Sequence, residues 1–312
     1  MIVIRINGGF GNQLFQYALA LICEKRYEKQ KVYLDIDDYN RNLSHTGYYI
    51  SKVYSPHFEI IDEKTVKELY YGIRYNKTYY TFKKLVGNKK SDYIIDLLNG
   101  VKSHISKKRK YVITEKSYNI YDPQIFGLLD NNNYYLNGYW QNCRYFKKYE
   151  DFLQEELSLD FLTDKLLDEH KKILELSNKV SIHLRRGDYI GSRLDVCNEK
   201  YYINAISYIK RNIDNPNFIV FTDDTEYAKS FFKNEKRVRI ISGNEKHCEL
   251  DILLMSKCEH NIVANSTFSF WGAFLNRNKH KIVIAPQYYI LDDIYKYETQ
   301  FFDSWIYVNN ID

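Results

Sequence analysis

Residues 180–189 read Val180-Ser181-Ile182-His183-Leu184-Arg185-Arg186-Gly187-Asp188-Tyr189. A short apolar strand runs straight into two arginines, a glycine and an aspartate. In α/β folds the carboxyl ends of strands open into the crevice where ligands bind. Two guanidiniums there form a fork of donors suited to a phosphate or diphosphate. Downstream, strand and helix signals alternate. Strands are expected at Val180 to Leu184, Phe218 to Thr222, Val238 to Ile241, Asn261 to Ala264 and Lys281 to Ala285. Helices are expected at Tyr201 to Ile209, Thr225 to Phe232, Glu249 to Lys257 and Thr267 to Leu275. This alternation argues for a parallel sheet covered on both faces.

The first half starts the same way. Ile2 to Ile6 is a β-rich run ending at Asn7-Gly8-Gly9-Phe10-Gly11. Asn12 opens an apolar-periodic segment through Leu14, Phe15, Ala18, Leu19 and Ile22, which predicts a helix. Further strands are expected at Lys31 to Leu34 and Tyr134 to Leu136, the latter leading into Asn137-Gly138-Tyr139-Trp140-Gln141. A charged amphipathic helix is expected over Leu162 to Leu176. At 312 residues the chain suits two domains, with a boundary between Tyr149 and Lys179 that divides it into 1–155 and 156–312.

Composition bounds the function. With 45% hydrophobic and 27% charged residues the chain is an ordinary globular protein. A net charge of +5 without an arginine-rich arm or zinc spacing gives no reason to expect nucleic acid. Five scattered cysteines with no C-x-x-C pair read as reduced thiols in a cytoplasmic protein without structural zinc. Polar Asn7, Asn12, Gln13 and Gln16 interrupt any signal-peptide core before Ala18-Leu19-Ala20. No apolar run of membrane-spanning length occurs. The stretch from about Glu63 to Lys116 is basic and tyrosine-rich, including Lys107-Lys108-Arg109-Lys110. It reads as solvated helices and loops; the alternative is a surface leaning weakly on acidic lipid headgroups at the inner face of a membrane.

Each motif carries two readings. Adjacent Arg185 and Arg186 repel unless an anion neutralises them, which a ligand or local acids would do. His183 alternates with the strand and suits a hydrogen-bonded core position; Asp188 could orient an arginine or accept a proton. Gly8-Gly9-Phe10-Gly11-Asn12 would let backbone approach a ligand at a helix start, or serve as a tight turn; it is not the dinucleotide fingerprint. Asp223 and Asp224 after Phe221-Thr222 suit ligand hydroxyls, a metal, or a helix cap. Asn265-Ser266-Thr267-Phe268-Ser269-Phe270-Trp271-Gly272 joins a strand to a helix as an anion cradle or an ordinary cap. Asp35-x-Asp37 has the spacing of a metal–diphosphate motif, but a metal is redundant if arginines neutralise the diphosphate.

Taken together and in this order, Gly8 to Tyr17, His183 to Tyr189, Phe221 to Asp224 and Asn265 to Gly272 resemble the bacterial α-1,2-fucosyltransferases of glycosyltransferase family 11. Tyr139-Trp140-Gln141 is similar to that family's mid-chain signature, and the match runs from Met1 to about Pro286. The resemblance implies an α/β, GT-B-like fold of two Rossmann-type domains facing across a cleft, an acceptor-side domain first and a donor-binding domain second. It implies inverting transfer of L-fucose from GDP-β-L-fucose to the 2-hydroxyl of a terminal β-galactoside, as in O-antigen or capsule synthesis, with no cofactor or essential metal. Carried over, Arg185 is the first catalytic residue, with Asp188 and His183 beside it. Donor contacts would come from Arg185, Arg186, Asp223, Asp224, Asn265, Ser266, Thr267, Ser269, Phe270, Gly9, Asn12 and Gln13. Tyr139, Trp140 and Gln141 would meet the acceptor. Where an α-1,6 relative carries a glutamate base this chain has Arg193, which cannot accept a proton, so Asp188 is named for that role.

Overall fold

The computed structural model describes residues 1–40, 47–69, 110–115, 120–242, 247–291 and 301–310. The chain forms two compact units, Met1–Trp140 and Gln141–Asp312. Residues 141–155, expected in the first domain, pack with the second unit instead. Phe146 meets the Trp271 ring edge-on, and the Gln154 side chain donates to the Phe274 carbonyl at 2.7 Å.

The first unit carries a five-stranded sheet of β1 (Ile2–Arg5), β2 (Val32–Asp35), β3 (Glu59–Ile60), β4 (Lys110–Thr114) and β5 (Asn133–Asn137). Their order is β3-β2-β1-β5-β4, and every described pairing is parallel. Central β1 is β-branched and buried, as a strand covered on both faces must be. The Phe10–Arg26 helix follows it; Leu14, Phe15, Ala18, Leu19 and Ile22 all lie in the core, as their period predicts. Within the basic stretch expected to be helices and loops, Lys110–Thr114 is an edge strand. Residues 70–109 and 116 of that stretch, including Lys107, Lys108 and Arg109, lie outside the described residues.

The second unit carries a six-stranded, all-parallel sheet of β6 (Lys179–Leu184), β7 (Asn217–Thr222), β8 (Val238–Ile241), β9 (His260–Ile262), β10 (Val283–Pro286) and β11 (Ile306–Val308). Val180, Ile182 and Leu184 on one face of β6 are fully buried against Tyr201, Ala205 and Ile209 of the Glu199–Asn212 helix. Each such aliphatic burial contributes roughly 1.5–3 kcal/mol. The helix expected over Leu162 to Leu176 is broken. A 3₁₀ segment, Asp160–Lys165, and a helix, Asp168–Leu174, flank Leu166 and Leu167, whose ψ values of 141° and 151° are extended.

The strand order is β11-β10-β9-β6-β7-β8. The chain winds from β6 outward through β7 and β8, then returns to the other side of β6 for β9, β10 and β11. The order therefore reverses between β6 and β9, and the carboxyl ends of these neighbours open the crevice where such sheets take ligands. Arg185 follows β6; Asn265 and Ser266 follow β9. No described helix is long and apolar enough to cross a membrane.

Candidate active site

The turn after β6 is built around one carboxylate. Asp223, at the end of neighbouring β7, pairs through Oδ2 with Arg185 Nη1 at 2.7 Å. Its Oδ1 accepts the Arg186 backbone N–H at 2.9 Å. A Cβ on Gly187 would stand 2.6 Å from Asp223 Oδ2, so only glycine lets the carboxylate reach both groups. The register of β6 on β7, with Leu184 opposite Thr222, places these residues side by side.

Both arginines have further partners. Arg185 Nη2 pairs with Asp188 Oδ1 at 2.6 Å, and the guanidinium lies 5.4 Å from the centre of the Tyr189 ring. Arg186 Nε pairs with Asp224 Oδ2 at 3.3 Å, and its guanidinium stacks 3.6 Å from the centre of the Tyr227 ring. Local acids thus take up the charge that a ligand was expected to neutralise. Asp224 also caps the Thr225–Phe231 helix, accepting from the Tyr227 amide at 3.0 Å. Of the uses open to Asp223 and Asp224, the helix cap is observed at Asp224, and both carboxylates also hold arginines.

His183 points to the face of β6 opposite Val180, Ile182 and Leu184. It is buried, its ring lies 5.6 Å from that of Phe268, and its Nδ1 has no partner among the described residues. Burial, aided by the Arg185 charge, pushes its pKa down to about 3. The imidazole is therefore neutral at neutral pH, carrying a single ring proton.

After β9 the chain enters the Thr267–Phe274 helix, with Ser266 as its cap accepting from the Phe268 amide at 3.3 Å. Tyr189 reaches over from the arginine turn and donates its hydroxyl to the Asn265 carbonyl at 3.4 Å, joining the two strand ends. Arg185, Arg186 and Asp188 after β6 and Ser266 and Thr267 after β9 therefore stand at the ends of neighbouring strands, with His183 buried beneath. Other expected donor contacts turn inward. Asn265 Nδ2 donates to the carbonyls of Leu194 and Tyr289 at 2.9 and 2.8 Å. The buried Ser269 hydroxyl accepts from the Ala264 amide at 3.2 Å. Phe270 is fully buried and stacks on Phe274, Phe301 and Phe302.

In the first unit, the loops after β1 and β5 are pinned together by Gln16, which accepts from the Asn7 amide at 2.8 Å and donates to the Gly138 carbonyl at 3.0 Å. Gly8 has φ +79°, and a Cβ on it would stand 2.6 Å from Asn12 Nδ2. Gly9 begins the following helix with φ −72° and open space where a side chain would project. Gln13, expected on a donor, is fully buried. It donates to the Gly8 and Gly47 carbonyls at 3.1 and 2.9 Å and accepts from the Tyr49 amide at 2.7 Å. It clamps the loop.

Trp140, expected on the acceptor, is fully buried with φ 58°. Gln141 is buried as well, while Tyr139 is half-buried. Glu115 escaped notice in the sequence, yet its two carboxylate oxygens accept the amides of Tyr139 and Trp140 at 2.7 and 3.1 Å. A Cβ on Gly138 would lie 2.5 Å from Glu115 Cβ, so the glycine beside the motif was the available signal. Asp35 is buried and accepts the Tyr135 hydroxyl and the Asp37 amide, which removes it from any exposed metal pair.

The family model for Glycosyl transferase family 11 matches residues 1–309. The chain is 32% identical to an "Alpha-1,2-colitosyltransferase" of Escherichia coli, over 92% of this chain and 91% of that protein. It is 31% identical to the "O-antigen biosynthesis glycosyltransferase WbnK" of Escherichia coli, over 96% and 98% respectively. A "Galactoside alpha-(1,2)-fucosyltransferase 1" of Ateles belzebuth matches at 25% identity over 50% of this chain and 48% of that one. Among solved structures, the fucosyltransferase NodZ from Bradyrhizobium superposes with a TM-score of 0.48 at 14% identity, covering 87% of this chain and 91% of that one.

Proposed function

This chain belongs to glycosyl transferase family 11, and from that premise we propose that it transfers L-fucose from GDP-β-L-fucose to the 2-hydroxyl of a terminal β-galactoside, with inversion, in assembling an O-antigen-type surface polysaccharide. The observation that carries this reading is the Arg185–Arg186 turn at the point where the strand order reverses, within a family match spanning residues 1–309.

The donor diphosphate lies against Arg185, Arg186 and the Ser266–Thr267 start of a helix, where cationic and N–H donors converge. In the reaction the acceptor oxygen attacks the anomeric carbon opposite the leaving group. The bond from that carbon to the β-phosphate oxygen breaks and its electron pair stays on GDP. The acceptor proton passes to the Asp188 carboxylate. Charge grows on GDP during bond breaking, so preorganised donors stabilise the transition state more than the ground state.

A second reading, favoured by the 32% identical colitosyltransferase, changes only the donor sugar. Colitose lacks the 3-hydroxyl of L-fucose. A site built to bond that hydroxyl discriminates by several orders of magnitude, and an apolar one does not. The test is incubation with each GDP-sugar and a panel of β-galactosides, with the product linkage read by NMR. An α-1,2-fucosyl product supports the proposal. Exclusive use of the colitosyl donor selects the second reading. Absence of transfer from both overturns the two together.

A further inference from the structure

Arg185 sits between two carboxylates of different character. Asp223 comes from another strand, is 23% exposed at its side chain, and is fixed by the Arg186 amide and the bare Cα of Gly187. Asp188 lies three residues further along the same turn and is 70% exposed at its side chain. It occupies Nη2, leaving Nη1 to Asp223. Two carboxylates over-neutralise one guanidinium, and an arriving diphosphate adds further negative charge. One carboxylate must leave, and Asp188 is the exposed, weakly held one.

Resting on the GDP-sugar reading above, we propose that Asp188 is a placeholder for the donor. It pairs with Arg185 Nη2 at 2.6 Å, and the diphosphate displaces it. The carboxylate so released is the group that takes the proton from the acceptor hydroxyl. Until the donor is seated, the base stays bound to Arg185. Proton transfer therefore waits for the donor, and the base becomes available only when there is a sugar to transfer.

The sign of one change separates a placeholder from a positioning residue. Calorimetric titration with GDP at fixed salt compares the wild type with Asp188→Asn, Asp188→Ser and Asp223→Asn. Removing a competitor from an exposed ion pair tightens GDP binding about 2- to 5-fold. Turnover falls about 10²-fold or more as the base is lost. Asp223→Asn moves the other way and weakens GDP binding, because it loosens Arg185. Both Asp188 variants must tighten; unchanged or weaker binding by either, in a protein that melts like the wild type, overturns the placeholder. A wild type that does not bind GDP overturns the reading on which the placeholder rests.

Discussion

Asp223 holds Arg185 across a 2.7 Å ion pair and, through its other oxygen, takes the amide of the next residue at 2.9 Å. One carboxylate at the end of β7 therefore sets both the guanidinium and the backbone of the turn after β6. Neighbouring parallel strands put it there, and Gly187 clears the space.

Arg185→Lys keeps the charge and loses the planar fork. Turnover of the nucleotide-sugar is expected to fall about 10²–10³-fold, the usual effect of removing one preorganised donor. The melting temperature should hardly move, since partly exposed ion pairs contribute about 0–1 kcal/mol. Steady-state GDP release measures the first and calorimetry the second. Near-wild-type turnover would place the diphosphate elsewhere.

Gly187→Ala tests the same turn by steric means. The added methyl would meet Asp223 Oδ2 at 2.6 Å, and that short side chain is held at both oxygens. The carboxylate or the turn must shift by a few tenths of an ångström or more. Misplacement on the scale of 1 Å costs about 10²-fold in rate, and overpacking costs about 1–3 kcal/mol in stability. Unaltered kinetics would mean that the Arg185–Asp223 geometry does not matter to the reaction.

His183 gives a pH signature. Its pKa is about 3 in the fold, against an ordinary value of 6.5 in the unfolded chain. Between those values the unfolded state binds the extra proton, so stability rises with pH across the window and is lost as pH falls from 6.5 towards 3. The slope from this group approaches about 1.4 kcal/mol per pH unit at most. In His183→Gln, urea unfolding between pH 6.5 and 4 should show a shallower loss. An identical slope in both proteins would show that His183 is not the titrating group.

EDTA should leave the transfer rate unchanged. Asp35 is 2% exposed and already engaged by the Tyr135 hydroxyl and the Asp37 amide, so it is not open to a metal. Loss of activity in EDTA, restored by manganese, would return Asp35 and Asp37 to consideration as ligands.

The parallel sheet of the second unit was readable because apolar strands and 3.6-period helices alternate with little between them. The position of the paired arginines was readable too, since they directly follow a buried apolar strand. The uses of individual polar residues were not. Gln13, Asn265 and Ser269 have the side chains a ligand site needs, but a buried loop needs the same side chains to satisfy its own backbone. For Gln13 and Asn265 local sequence does not distinguish these uses, because partners such as Gly47, Leu194 and Tyr289 arrive from elsewhere in the chain, while Ser269 turns back on the nearby Ala264 amide. Glu115 was hidden for the same reason: it meets its two amides some 24 and 25 residues away. Edge strand Lys110–Thr114 was masked by the basic run leading into it, and the break at Leu166–Leu167 by unbroken helical periodicity on both sides.

The most direct measurement of the central claim, that the turn after β6 seats the donor diphosphate, is a crystal structure of the GDP complex. Phosphate oxygens are expected within about 2.7–3.2 Å of the Arg185 guanidinium, with the Arg185–Asp223 pair retained and Asp188 turned away. A diphosphate bound elsewhere, with Arg185 still held between Asp188 and Asp223, would contradict it.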